Sequence, residues 1–330
     1  MTTERVESHG TALAHVLFRI DGRPVTRGEV KAWANRFDAT FAARRARRRA
    51  LSELELDEDP SFDATLEEEA AEYRYSRGLE SRESLVAWLD AHGLTVDGWW
   101  EVLRRNVLER RHAADSTLLL DKGTPPEGED AEWSEAELVV SDLLASAVRA
   151  FARRAAVAAS RTGWDPDAFP SPASRHDAIE SEWQAWRREH LTESALLEAL
   201  RHEGLAWLVY DLEESHWTSL DAAREAVSCV RLDARTLDDV AREAGVRYVT
   251  STQLLAGVAE VVHDALLTSA PGEVVDPLRV GADWVVLRVV AKRPPSLAEP
   301  LVRAAAEEFV ETRVAAPLVE SRITWETRGA

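Results

Sequence analysis

The chain has 330 residues, enough for about two domains, and 45% of them are hydrophobic, enough to bury a core. It carries 40 Lys and Arg against 59 Asp and Glu, a formal net charge of -19, which argues against a nucleic-acid binder, whose signature is a basic face. One Cys excludes an internal disulfide framework and any Cys-rich zinc module, and no apolar run approaches the ~18 residues that span a bilayer.

Met1 to Gly10 is polar and acidic and lacks the apolar stretch of a signal peptide, so the simplest compartment is the cytoplasm. Residues 15–25 read as a strand that turns at Asp21-Gly22, a strong hairpin signal. Thr26 caps the helix that follows, with Glu29 three positions on as its capping-box partner. Val30, Trp33, Phe37 and Phe41 recur at spacings of three and four and give that helix one apolar face. The basic run 44–49 is the only feature that invites a nucleic-acid reading. Acids from Glu53 to Asp59 follow at once, and a solvated helix end is the expectation.

Residues 62–112 are helical in pattern. Ser81 caps a helix bearing Leu85, Trp88 and Leu89, which stops at Gly93. Thr95 begins the next, with Trp99, Val102, Leu103 and Val107 inward. Trp99 and Trp100 cannot both face inward, because neighbours on a helix point about 100° apart. Residues 122–132, rich in Gly, Pro and acid, form the clearest linker. Helices are expected over 134–159, 177–190 and 192–202, with a proline-bearing loop over 163–174. A weak internal repeat sets Gly93 on Gly204, Leu85 on Leu196 and Leu89 on Leu200. Chance convergence of two capped amphipathic hairpins and duplication of one module both fit it.

After Leu205 the texture changes. Residues 206–212 read as a strand, and Ser219 caps a helix through Val227. Residues 229–232 are short and apolar. Thr236 caps a helix that Gly245 ends. Residues 246–250 are extended and 254–267 helical. An edge-like strand with a proline near its end covers 272–278. Residues 283–290 are the strongest strand. A long helix over 297–320 and a strand over 322–326 close the chain.

Several chemistries are missing from the sequence. It holds no Walker-type phosphate loop, no dinucleotide-binding glycine motif after a strand and no nucleophile elbow. Cys229 lies in an apolar stretch and reads as a buried, inert thiol. The histidines do not cluster at ligand spacing, and the Glu198–His202 pair completes no metal site. No metal and no cofactor are expected.

From Leu208 to Pro295 the expected order is strand, helix, short strand, helix, loop, helix, strand, strand. Within it stand Thr236-Leu237-Asp238-Asp239-Val240-Ala241, then His263-Asp264-Ala265-Leu266-Leu267, then Pro271-Gly272-Glu273-Val274-Val275 and Pro277. Gly281-Ala282-Asp283-Trp284-Val285-Val286-Leu287-Arg288-Val289 follows. With these landmarks the segment resembles the parvulin-type peptidyl-prolyl isomerase domain. With its N-terminal strand and Asp-Gly turn, its helical region and its long final helix, the chain as a whole is similar to the SurA/PrsA-like chaperones. In that family the N-terminal and final segments form one module, and the parvulin unit is inserted between them.

The resemblance implies an α+β fold: a mostly helical SurA-like chaperone module plus a small parvulin-like α/β domain. It implies an N-terminal strand and helical module over 1–121 and a linker with a second helical module over 122–205. It then implies a parvulin-like domain over 206–295, and a final helix and strand over 296–330 that pack on the N-terminal module. The family's paired histidines fall here at Tyr210 or Asp211 and at Val285. Valine cannot hydrogen-bond, so the family's histidine network cannot form as usual. A peptide groove is expected beside Leu254, Leu255, Val258, Leu266 and Trp284, although apolar residues at such spacing also fit a plain core. The implied function is a folding or maturation factor that binds unfolded or extended polypeptide, with weak or no prolyl isomerase activity. An active parvulin-type isomerase and a non-enzymatic partner of one client are the alternatives. Neither nucleic acid nor membrane is an expected partner.

Overall fold

The computed structural model describes residues 15–38, 41, 60–111, 136, 139–141, 143–163, 165–233, 235–280 and 283–326. The first ten residues, the basic run 44–49 and the linker over 122–132 lie outside the described residues. The chain forms two compact units: residues 1–186 with 315–330, and residues 187–314. In sequence, the second unit is therefore an insertion into the first.

The first unit begins with a hairpin of β1 (Val16–Ile20) and β2 (Arg23–Thr26). Asp21 and Gly22 between them have φ of 49° and 81°. Both are left-handed, which is what a two-residue turn needs to match the twist of its strands. Thr26 caps α1 (Arg27–Phe37) by accepting the Glu29 backbone N–H at 3.3 Å. The Glu29 carboxylate is held by the Thr26 backbone, as the expected capping box requires, and also meets Arg175 at 2.8 Å. The helices α2 (Pro60–Ser76), α3 (Arg82–His92) and α4 (Val96–Arg111) gather Tyr73, Leu85, Leu89, Trp99 and Leu103 into one cluster. Ser81 and Ser84 cap α3 reciprocally, and Gly93 ends it at φ 68°. Trp99 is buried and Trp100 only half-buried, as their adjacency on a helix demands.

A larger core lies between the hairpin, α1 and α5 (Leu143–Thr162). Phe18, Ile20, Val25, Val30 and Trp33 pack there against Phe151 and a row of α5 alanines, whose small side chains allow close approach. α6 (Pro172–His190) starts inside the expected loop. Ser171 and Ser174 exchange side chain to backbone bonds at its start, and Pro172 suits a first turn, where its missing N–H has no intrahelical partner to lose. The last strand, β7 (Ile323–Trp325), completes a sheet in the order β2-β1-β7, with Ile20 opposite Ile323 and Phe18 opposite Trp325.

The second unit holds α7 (Glu193–Glu203), β3 (Val209–Trp217), α8 (Leu220–Leu232), α9 (Leu237–Ala244) and β4 (Tyr248–Leu254). It continues with α10 (Glu260–Thr268), β5 (Leu278–Val280), β6 (Asp283–Arg293) and most of α11 (Pro300–Arg322). Its sheet runs β4-β3-β6-β5 with every neighbour antiparallel.

Four local expectations are corrected. β3 starts at Val209 and continues to Trp217, where the sequence reading stopped at Leu212. Its polar stretch is held by cross-strand partners: Arg288 meets Glu213 at 3.2 Å, and Gln253 donates to Glu214 at 3.1 Å. Residues 229–232 are the last turn of α8, so Cys229 is half-buried on a helix. Residues 254–257 do not begin a helix; Leu254 ends β4, a 3-10 turn spans Leu255–Gly257, and α10 starts at Glu260. Residues 272–278 give one bridge, Val274 to Arg288, and a strand only from Leu278.

The unit's limits of 187 and 314 differ from the expected 206 and 295. The reason is a shared core: Leu196 and Ala199 of α7 and Val302, Ala306 and Val310 of α11 pack with Trp207 and Val209 at the start of β3.

Candidate functional site

Alternation along β3 sorts the site residues. Successive strand side chains point to opposite faces of a sheet. Tyr210 and Leu212 therefore share one face, and there they meet Val285, Leu287 and Val289 of β6 with Val262 and Leu266 of α10. Trp217 and Val286 lie on the other face, against Ala223, Ala226 and Val227 of α8 and Leu237 and Val240 of α9.

Tyr210 is 0% exposed, and its hydroxyl donates to the Leu266 carbonyl at 3.2 Å. The Lys292 ammonium donates to the carbonyls of Leu266 and Leu267 at 3.2 and 2.7 Å, and lies 5.6 Å from the Tyr210 ring centre. Two side chains thus satisfy carbonyls in the last turn of α10, where a cation is also favoured by the helix dipole. Val285 is 3% exposed in the same core. Asp211, on the opposite face, is half-buried and paired with Arg293 and Thr252. The Arg293 guanidinium, followed by the Thr252 hydroxyl, holds the Asp211 carboxyl below its usual range. The three candidate positions thus hold a structural phenol, an ion-paired carboxylate and a sealed valine.

The five residues expected to line one groove are not brought together. Leu255 and Leu266 are buried in the Tyr210 core, and Val258 packs against it. Leu254, opposite Val209, packs instead with α7 and α11. Trp284 is on the α8 and α9 face, with the Arg279 guanidinium 5.9 Å from its ring centre. Trp284 and Val285 are neighbours in one strand, so they cannot share a face.

Two features escaped the sequence reading. His216 stands on β3 directly opposite Val285, with Nδ1 3.4 Å from the Asp283 carboxylate. Burial, then the nearby Arg247 charge, lowers its pKa, so the ring is neutral at pH 7. Its strand placement was hidden because β3 was expected to end at Leu212. The second feature is a cleft of about 650 Å³ beside α10. Leu255, Leu267, Ala206 and Ala256 contribute apolar surface to it, and Leu205, His202, Glu203, Glu260, His263 and Asp264 complete its lining. Leu255 is the one residue of the expected groove that reaches this space.

Among the described residues no cluster of three or more His, Cys, Asp or Glu is placed to hold a metal ion. No helix among them is long and apolar enough to cross a membrane.

No family model and no curated protein matches the sequence. Among solved structures the chain is similar to the foldase protein PrsA from Lactococcus lactis, at 12% identity over 95% of both chains, with a TM-score of 0.28. It is similar to the foldase protein PrsA from Streptococcus pneumoniae, at 13% identity over 93% of this chain and 90% of that one, with a TM-score of 0.30. A SurA-like chaperone of Campylobacter jejuni is 8% identical over 94% of this chain and 99% of that one, with a TM-score of 0.19. These neighbours are the PrsA and SurA-like proteins that the sequence resembles. At such TM-scores the likeness carries no argument, and the α+β fold rests on the chain's own helices and two antiparallel sheets.

Proposed function

We propose that the protein is a folding or maturation factor that binds unfolded or extended polypeptide, with weak or no prolyl isomerase activity. One observation carries this reading. The positions that the resemblance assigns to catalysis fall on Tyr210 or Asp211 and on Val285; Tyr210 and Val285 are sealed in the core and Asp211 is ion-paired with Arg293, while an open cleft with apolar surface lies beside α10. A surface of that kind gives contact area to a side chain of an extended segment. Binding the ground state and the twisted transition state equally does not raise turnover.

The test has two arms on the full chain. Cis–trans exchange of a proline peptide, followed by NMR, should be unchanged by the protein. A fluorescently labelled extended peptide should bind, as read by anisotropy. Strong acceleration of exchange overturns the weak-activity part and promotes an active isomerase. Absence of binding by every extended peptide overturns the polypeptide-binding part.

A further inference from the structure

Resting on the polypeptide-binding reading, we propose that the cleft beside α10 selects extended segments in which an apolar side chain is flanked by lysine or arginine. The cleft has the two surfaces such a segment needs. Its apolar part is made by Leu255, Leu267, Ala206 and Ala256, and Leu205 on its margin is 65% exposed. Its charged part is acidic throughout: Glu203, Glu260 and Asp264 line it, and among the described residues no lysine or arginine does.

Glu260 and Asp264 lie four positions apart on α10, which stacks their side chains on one face. Both are exposed, and neither meets a cation among the described residues. Like charges at this spacing repel. The helix dipole favours Glu260, in the first turn, but not Asp264, a turn further on. A cation from a partner relieves that repulsion. The other polar groups of the cleft are engaged: His202 Nδ1 lies 2.7 Å from Glu203, and His263 Nε2 lies 2.9 Å from the Val258 carbonyl. Lys292, close by at Leu267, is committed to backbone carbonyls of α10. The unmet demand is therefore for positive charge next to an apolar surface.

Charge also decides between occupants. A second copy of this chain carries the same net charge of -19 and is repelled. An extended segment with Lys or Arg beside an apolar residue satisfies both parts of the cleft at once.

The experiment compares three labelled extended peptides of equal length, with centres Arg-Phe-Arg, Glu-Phe-Glu and Arg-Ser-Arg, by anisotropy at low and high salt. The Arg-Phe-Arg peptide should bind at least about tenfold more tightly than either other peptide, and added salt should weaken it. The double variant Glu260→Gln/Asp264→Asn should lose the preference over Glu-Phe-Glu, and Glu260→Lys/Asp264→Lys should reverse it. Leu205→Ser should weaken both Phe peptides and leave Arg-Ser-Arg unchanged. All these positions are exposed, and circular dichroism of each variant confirms its fold. Equal binding of all three peptides, or a charge preference that survives the double variants, overturns the selection of basic segments while polypeptide binding stands. If none of the peptides binds, the underlying reading falls with it.

Discussion

The Tyr210 hydroxyl and the Leu266 carbonyl are joined by a buried hydrogen bond of 3.2 Å, between the first strand of the second sheet and the last turn of α10. Its role is to hold a helix end. Lys292 reaches the same carbonyl, so Leu266 keeps a partner if the phenol is removed.

Tyr210→Phe should therefore be mild, with a loss of about 0.5–1.5 kcal/mol. Tyr210→His should cost more, because it leaves a smaller polar ring inside an apolar core. Urea unfolding of both variants checks this. A Tyr210→Phe loss above 3 kcal/mol (about twice the top of that range) would mean that the bond carries more than a net hydrogen bond does.

Acid should weaken the protein through His176. The residue is 2% exposed, stacks edge-on against Phe151 at 5.8 Å, and its Nε2 has no hydrogen-bond partner among the described residues. Burial first, then Arg175 and Arg36, lowers its pKa from 6.5 to about 4, and Asp177 opposes them. Between those values the unfolded chain binds a proton that the folded chain does not. Stability is thus full above pH 6.5 and falls as pH drops toward 4, by up to ~1.4 kcal/mol per pH unit. Thermal midpoints across this range should fall less steeply in His176→Gln, whose side chain does not titrate. Parallel curves for the two proteins would refute the assignment.

Ile323 tests the closure of the first sheet. It is 7% exposed, lies opposite Ile20 and belongs to the core built on Phe18 and Trp33. Ile323→Ala should cost about 2–4 kcal/mol by transfer and cavity terms together. Hydrogen exchange should then rise in β1, whose outer pairing β7 provides. Exchange unchanged in β1 would show that the last strand does not hold the first.

Local signals were legible wherever one residue's chemistry sufficed. Asp21-Gly22 makes its turn, Thr26, Ser81, Ser219 and Thr236 cap their helices, and Leu85, Leu89 and Leu196 are buried as their spacing implies, with Leu200 half-buried. The internal repeat shows where such reading runs out. Gly93 and Gly204 align in sequence, but Gly93 has φ 68° and Gly204 has φ -56°. The first glycine is there for a left-handed backbone. At the second, a Cβ would lie 2.8 Å from the Leu200 carbonyl oxygen, so close approach is what excludes a side chain.

The candidate site was legible only in part, for a reason that alternation makes plain. Tyr210 on β3 and Val285 on β6 lie in one core, as strand positions read from the sequence imply. Trp284 adjoins Val285 on β6, and because strand neighbours face opposite ways it packs on the other side of the sheet and cannot share the expected groove. His216 was overlooked because Glu213, Glu214 and Ser215 look unlike a strand until their partners on β4 and β6 are known.

Hydrophobic period, turn chemistry and caps act within a few residues, and so the sequence by itself determined the order of elements, the first hairpin and most helix starts. Pairing across long separations depends on which faces meet, which no local pattern encodes. Only the tertiary structure decided that Ile323 lies against Ile20, that α7 and α11 join the second unit through Val209, and that Glu260 and Asp264 share a cleft with Leu255.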